Sequence, residues 1–171
     1  MSRKSTSALR DQVRNTFVPF VRDAGFEATS RRGNLFMEFR RDAGSVIHVL
    51  EIQWEKYGRP RFVINYGTCP SSGIDVQGKH FAPADVCAGW LPDSGRLRPG
   101  RGATTASWFR QDYPLLKQLL LRTRCRAASE VVAEAVHLFA ELEAYWGSGA
   151  LGTHMRAVPP AAIRAEGEST S

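Results

Sequence analysis

Apolar and polar positions change period several times along this chain. In residues 5–24, Leu9, Val13, Phe17, Phe20 and Val21 recur at spacings of four and three, which predicts an amphipathic helix. Ser5 or Ser7 can cap its start, Gly25 can end it in a left-handed conformation, and Pro19 should kink its last turn. From residue 26 the period becomes two. Four strands follow, "FEATS", "LFMEFR", "VIHVLEIQW" and "RFVINYG", joined by the short glycine-containing links "RRGN", "RDAGS" and "EKYGRP". Such links predict an antiparallel meander.

Parity then sets a register. With Tyr57, Gly58 and Arg59 as the last loop, Trp54 faces Phe62, Ile52 faces Ile64 and Leu50 faces Tyr66. With Ala43 and Gly44 as the preceding loop, Leu35, Met37 and Phe39 oppose Ile52, Leu50 and His48. One face collects Phe26 and these apolar residues, a core face on which His48 is a buried, hydrogen-bonded histidine. The other is mixed, with Glu27, Phe36, Glu38, Arg40, Val49, Glu51, Gln53, Val63 and Asn65.

Residues 68–111 show little periodicity, and "DVCAGWLP" and "TASWFR" read as short strands or turns carrying Trp90 and Trp108 into the core. "DYPLLKQLLLRTRC" begins a helix, and "SEVVAEAVHLFAELEAYWG" makes another, capped by Ser129 and ended by Gly147. From about Ala150 the composition is that of a disordered tail. The expected architecture is one α+β domain over residues 1–149. It has an antiparallel meander of four or more strands, with an N-terminal helix and C-terminal helices packed on one face.

Composition narrows the function classes. With 43% hydrophobic and 23% charged residues, the 171-residue chain reads as a globular protein. It has no apolar run of membrane-spanning length and no signal-peptide pattern at its start, so a cytoplasmic location is expected. Cys69, Cys87 and Cys125 are widely spaced, which favours reduced thiols over a metal framework; no metal and no cofactor is expected. The net charge of +6 invites a nucleic-acid reading, but Lys contributes only four of the 23 basic residues. An Arg bias beside many Ala and Gly can reflect coding composition, and the arginines are scattered, many of them next to acids.

Three stretches carry candidate chemistry. "GIDVQGKH" matches G-x-x-x-x-G-K, but His80 stands where a phosphate loop needs a hydroxyl and Pro83 interrupts the helix that should follow; an irregular surface loop is expected. Glu51, Gln53 and Asn65 share the mixed face with Arg40. They form either a solvated sheet face or the polar floor of a groove walled by residues 68–111. "GRLRPGRG" gathers Arg96, Arg98 and Arg101 near Trp90 and Trp108, a combination able to hold single-stranded nucleic acid or an acidic protein surface.

The order of a helix ending "AGF", a strand "LFMEFRR", "VIHVLEIQW" and "FVINYG" resembles an uncharacterised bacterial family, domain of unknown function 4304. The residues that carry the likeness are Gly25 with Phe26, Arg40, Gln53, Asn65 with Gly67, Arg96 with Leu97, and Trp108 with Phe109. The resemblance spans roughly residues 8–146 and implies a small α+β domain; it brings no activity, cofactor or catalytic residue. The expected function is a noncatalytic binding module with a protein partner, using Arg40, Glu51, Gln53, Asn65, Arg96, Arg98, Arg101 and Trp108. The alternatives are nucleic-acid binding through Arg96, Arg98 and Arg101, and an enzyme built on Glu51, Gln53 and His80.

Overall fold

The structure, a computed structural model, describes residues 3–29, 33–100, 108–112 and 126–160. The first helical run consists of α1 (Arg3–Gln12), a π turn (Val13–Phe17) and α2 (Val18–Asp23). Leu9, Val13, Phe17 and Val21 are all fully buried, as the spacing predicts. Pro19 has no N–H to donate and crowds the carbonyl four residues back. The helix accommodates it by widening just before the proline, with the Val18 N–H bonded to the Val13 carbonyl. Gly25, at φ +87°, ends the run.

The meander forms as β1 (Glu27–Ala28), β2 (Phe36–Asp42), β3 (Val46–Trp54) and β4 (Arg61–Pro70). Trp54 faces Phe62, Ile52 faces Ile64, Leu50 faces Tyr66 and Glu51 faces Asn65, which is the predicted register. The β2–β3 register differs from expectation by two residues: Met37 pairs with Ile52, Phe39 with Leu50 and Arg41 with His48. The turn is Gly44–Ser45, closed by a 2.9 Å bond from the Ala43 N–H to the Val46 carbonyl. Gly44, at φ +84°, sits first in that turn, where two-residue hairpins call for positive φ. An even slip preserves parity, so both faces keep their residues.

Beyond β4 the chain leaves the sheet as a separate hairpin, β5 (Ile74–Val76) and β6 (Lys79–Phe81). The G-x-x-x-x-G-K stretch is this hairpin and not an irregular loop; Gln77 and Gly78 both have positive φ in its turn. The 3-10 turns Pro83–Asp85 and Ala88–Trp90 then recross the sheet to β7 (Gly95–Leu97). The expected glycine-rich arginine loop is thus a strand over its first three residues. β7 pairs with the middle of β4, and β8 (Phe109–Arg110) with the start of β4. Among the described residues the sheet has seven strands in the order β1-β2-β3-β4-β7-β9, where β9 is Met155–Ala157, with β8 on β4.

The last helix, α3 (Ala128–Ser148), starts after Ala127 with no side-chain cap, so Ser129 lies inside it. Its entry is fixed by tertiary bonds instead, Arg126 N–H to the Gln111 carbonyl and the Arg126 guanidinium to Glu134. It ends on Gly149 at φ +74°, two residues beyond Gly147. The helix expected over residues 113–125 lies outside the described residues. The expected tail supplies β9 (Met155–Ala157), which pairs with β7 and buries Met155. Strand pairing uses backbone groups, so a segment poor in large side chains can still join a sheet. Ser94 holds the exit, its Oγ donating to the Val158 carbonyl at 2.8 Å.

The helices cover one sheet face. Phe39, Leu50, Ile52, Trp54, Phe62, Ile64 and Tyr66 meet the apolar stripes of α1, α2 and α3 in one core. Leu35, expected there, precedes β2 at the end of the sheet and stays 37% exposed. The opposite face carries a smaller core of Val49, Cys69, Val86, Ala88 and Leu91, with Trp90 packed at its margin. Trp90 and Trp108 are half-buried and neither enters the main core.

His48 joins sheet to helix. It is 8% exposed and stacks on Trp146, rings 4.6 Å apart and nearly parallel. Arg41 donates to His48 Nδ1 at 3.1 Å and grips Glu143 of α3 through two nitrogens. Burial, then the neighbouring Arg41 charge, holds the His48 imidazole below its ordinary pKa, against smaller opposing effects of Glu143 and Asp93.

Two measurements probe this packing. A Cβ at Gly95 would lie 2.2 Å from the buried Tyr66 ring, whereas one at Gly147 meets nothing. Gly95→Ala should therefore cost about 1–3 kcal/mol in denaturant unfolding, and Gly147→Ala should stabilise by up to about 1 kcal/mol. Since folding depresses the His48 pKa, the unfolded chain binds that proton more readily. Its contribution is complete above the ordinary imidazole value of about 6.5 and is lost as pH falls below it. The unfolding free energy should decline as pH falls below about 6.5, and His48→Gln should flatten that decline.

Candidate functional site

The mixed face is neither a solvated surface nor an open floor. The turns at Pro83–Asp85 and Ala88–Trp90 close over part of it, and Glu38, Val49, Glu51 and Val63 are at most 3% exposed. Two residues permit that approach. Gly67 has no Cβ where one would lie 2.6 Å from the Leu91 side chain, so the second turn can rest on β4. Arg40 fastens the first, donating to the Pro83 and Val86 carbonyls and to Glu38 Oε1 at 2.9 Å. Arg40 is thereby taken up within the fold.

Beside this cover runs a polar row centred on Asn65. Its amide donates to Glu51 Oε1 at 2.9 Å and to Gln53 Oε1 at 3.1 Å, and its carbonyl accepts from Arg96 Nε at 3.0 Å. Both N–H groups and the oxygen are engaged, so the amide links a buried carboxylate to a guanidinium across three strands. Glu38 and Glu51 are directly paired across β2 and β3. That juxtaposition of acids is offset by Arg40 on one side and by Arg96 through Asn65 on the other. Burial, and then Arg156 opposite it on β9, lowers the Arg96 pKa, while Glu51 raises it.

Glu51, Gln53, Asn65 and Arg96 are therefore brought together; of the other predicted residues, Trp108 joins Gln53 in lining a cleft, and the rest lie apart. Arg98 N–H bonds the His154 carbonyl at the β7–β9 edge. Arg101 lies outside the described residues. His80 pairs with Asp75 at 3.0 Å on the exposed β5–β6 hairpin and shares no described hydrogen bond with Glu51 or Gln53. Among the described residues no three His, Cys, Asp or Glu side chains gather as metal ligands.

Open space lies at one end of the sheet. A cleft of about 430 Å³ is lined by Leu35, Phe36, Gln53, Trp54, Glu55, Lys56 and Trp108. Gln53 ties this cleft to the polar row, and Trp108, under the Arg61 guanidinium at 4.9 Å, forms a wall. Glu55 shapes the rim. Burial would raise its pKa, but the Arg59 and Tyr57 N–H groups and Arg61 lower it overall, and the same bonds present Tyr57 at 77% exposure. A second cleft of about 230 Å³ is lined by Arg10, Arg14, Gly33, Asn34, Phe36, Met37 and Trp54. Leu35, Phe36, Trp54 and Lys56 were not expected at a site. Their parity assigns each to a sheet face but says nothing of where the cover on that face ends.

No family model, curated protein or solved structure matches the chain. The site stands on its geometry alone.

Arg40 provides the test of the cover. Cys69 is fully buried beneath it, with a thiol pKa raised by burial and lowered by Arg40. Arg40→Ala should speed thiol labelling of Cys69 several-fold under native conditions. Losing the Arg40 charge leaves less thiolate, so faster labelling reports opening of the cover, and an unchanged rate would show that Arg40 does not hold it.

Proposed function

We propose that this protein is a noncatalytic binding module for a protein partner, and that the Gln53–Trp108 cleft takes an apolar side chain of that partner. The observation that carries the reading is the cleft's lining. Leu35, Phe36, Trp54 and Trp108 present apolar surface around one amide, Gln53, which suits a site of mostly hydrophobic walls with few orienting polar groups. The exposure of Leu35 and Tyr57 beside it supports the same reading. An enzyme at Glu51 is less well supported, because its carboxylate is 3% exposed and engaged by Asn65.

A nucleic-acid role is less well supported too. Arg40, Arg41, Arg61, Arg110 and Arg126 all pair with carboxylates of the fold, so these guanidiniums are engaged within it. We also read the chain as related to domain of unknown function 4304 and as cytoplasmic. The free thiols of Cys69 and Cys87 suit a reducing compartment, and no described helix is long and apolar enough to cross a membrane.

Selection from a displayed library of random dodecapeptides tests the cleft. Wild type should enrich peptides with a common apolar or aromatic anchor, and Trp108→Ala and Gln53→Ala should each weaken a selected peptide about tenfold, the usual scale for losing a buried anchor contact. No enrichment, or equal binding by both folded variants, would remove the cleft as the site.

A further inference from the structure

The two clefts share Phe36 and Trp54, so they adjoin, and their outer ends differ in charge. The smaller ends in Arg10 and Arg14, four residues apart in the first helical run and so neighbours on one helix face. Like charges at that spacing repel. Here the repulsion is little relieved from within the fold. Arg10 sits over the Trp54 ring at 4.8 Å and donates to the Asn34 carbonyl at 2.9 Å, but no described carboxylate pairs with it. Arg14 has Asp11 at 3.7 Å, both more than half exposed, an arrangement that contributes little. Burial, then the charge of Arg14, lowers the Arg10 pKa, as expected for a partly desolvated guanidinium without a counter-charge. Other half-buried arginines contrast with this: Arg40, Arg41, Arg61 and Arg126 each have an acid within the fold.

We propose that Arg10 and Arg14 form a carboxylate-binding subsite, and that the partner segment is an acidic peptide whose Asp or Glu meets these guanidiniums while its apolar anchor fills the adjoining cleft. This rests on the cleft reading above and specifies its ligand. Guanidinium and carboxylate match in planar, two-bond geometry, and the aromatic floor of Trp54 lowers the local dielectric in which they meet. A peptide accounts for the layout better than a nucleic-acid strand. Phosphates recur along a strand and call for cations along the whole groove, whereas among the described residues that line the larger cleft Lys56 is the one cation, beside Glu55.

The same dodecapeptide library separates the two levels. Wild type should enrich peptides carrying Asp or Glu to one side of the apolar anchor, and the Arg10→Gln/Arg14→Gln variant should enrich the anchor without the acids. A selected acidic peptide should bind that variant about tenfold or more weakly and lose its salt dependence, the scale of one or two charge-assisted hydrogen bonds. Arg14→Gln alone leaves the Arg10–Trp54 stack in place and should give a partial loss with an unchanged Tm. Anchors enriched by wild type without acids, or acids enriched equally by the double variant, would overturn the subsite and leave the cleft standing. Absence of any anchor would overturn both. A labelled oligothymidylate binding wild type more tightly than the selected peptide, in a manner dependent on Arg10 and Arg14, would overturn the peptide in favour of nucleic acid.

Discussion

The ladder between β3 and β4 runs over nine residue pairs, from Val46–Pro70 to Trp54–Phe62, and each of its faces carries side chains that water would penalise. On one side Leu50, Ile52, Phe62, Ile64 and Tyr66 need helices over them; on the other Val49, Val63 and Cys69 need a cover as well. Helices meet the first requirement, whereas the second has as regular secondary structure among the described residues only the small β5–β6 hairpin, through Ile74 and Phe81. The second is met by a detour of the chain between β4 and β7, which returns over the sheet as two 3-10 turns. Gly67 lets the backbone of one turn come close, and Arg40 donates to the Pro83 and Val86 carbonyls of the other. The order of strands follows from that detour. Because the chain re-enters beside β4, β7 takes the next sheet position, and β9 can add to it only after α3 has crossed the opposite face.

Covering a mixed face encloses polar groups, which must then satisfy one another. Asn65 does this for Glu51, Gln53 and Arg96, and Arg40 does it for Glu38 Oε1 and the turn carbonyls. Glu38 Oε2 is buried with no hydrogen-bond partner among the described residues. Several other arginines are likewise taken up by acids of the fold. Arg41 joins sheet to α3, Arg61 braces the β3–β4 turn through Glu55, and Arg126 anchors the start of α3 through Glu134. These guanidiniums are structural cross-links, and their number says little about an external anion.

Period and parity made the helices-on-one-face arrangement legible from sequence, because each depends only on local geometry. The β3–β4 register was legible for the same reason: one glycine-containing turn, Tyr57–Arg59, admits one pairing that keeps Trp54 and Phe62 together. The β2–β3 turn misled by two residues because Ala43–Gly44 and Gly44–Ser45 both suit a hairpin, and parity cannot choose between them. What escaped depended on tertiary bonds. Ala127 begins a helix without a cap because Arg126 is held from outside it, and β9 forms in a tail-like composition because Ser94 and the edge of β7 receive it. The site was half legible. Alternation put Glu51, Gln53 and Asn65 on one face, but no local pattern shows that residues 83–91 cover the face beside this row and leave the Gln53 end open.

That division explains why the open space lies where it does. The cover rests on Gly67 and Cys69, towards the Val46 end of β3, and the clefts lie at the opposite, Trp54 end. There the ladder runs out into the β3–β4 turn, β8 replaces β7 beside β4, and α1 passes over Trp54 with Arg10 upon its ring. Trp54 faces the helices and Gln53 faces the covered side, so a groove at this end draws residues from both layers. Of its aromatic walls Trp54 is rooted in the main core, Trp108 is held under the Arg61 guanidinium, and its one amide is rooted in the polar row. A ligand seated there would meet side chains already held in place by packing and hydrogen bonds, so little of its binding free energy would be lost to ordering the site.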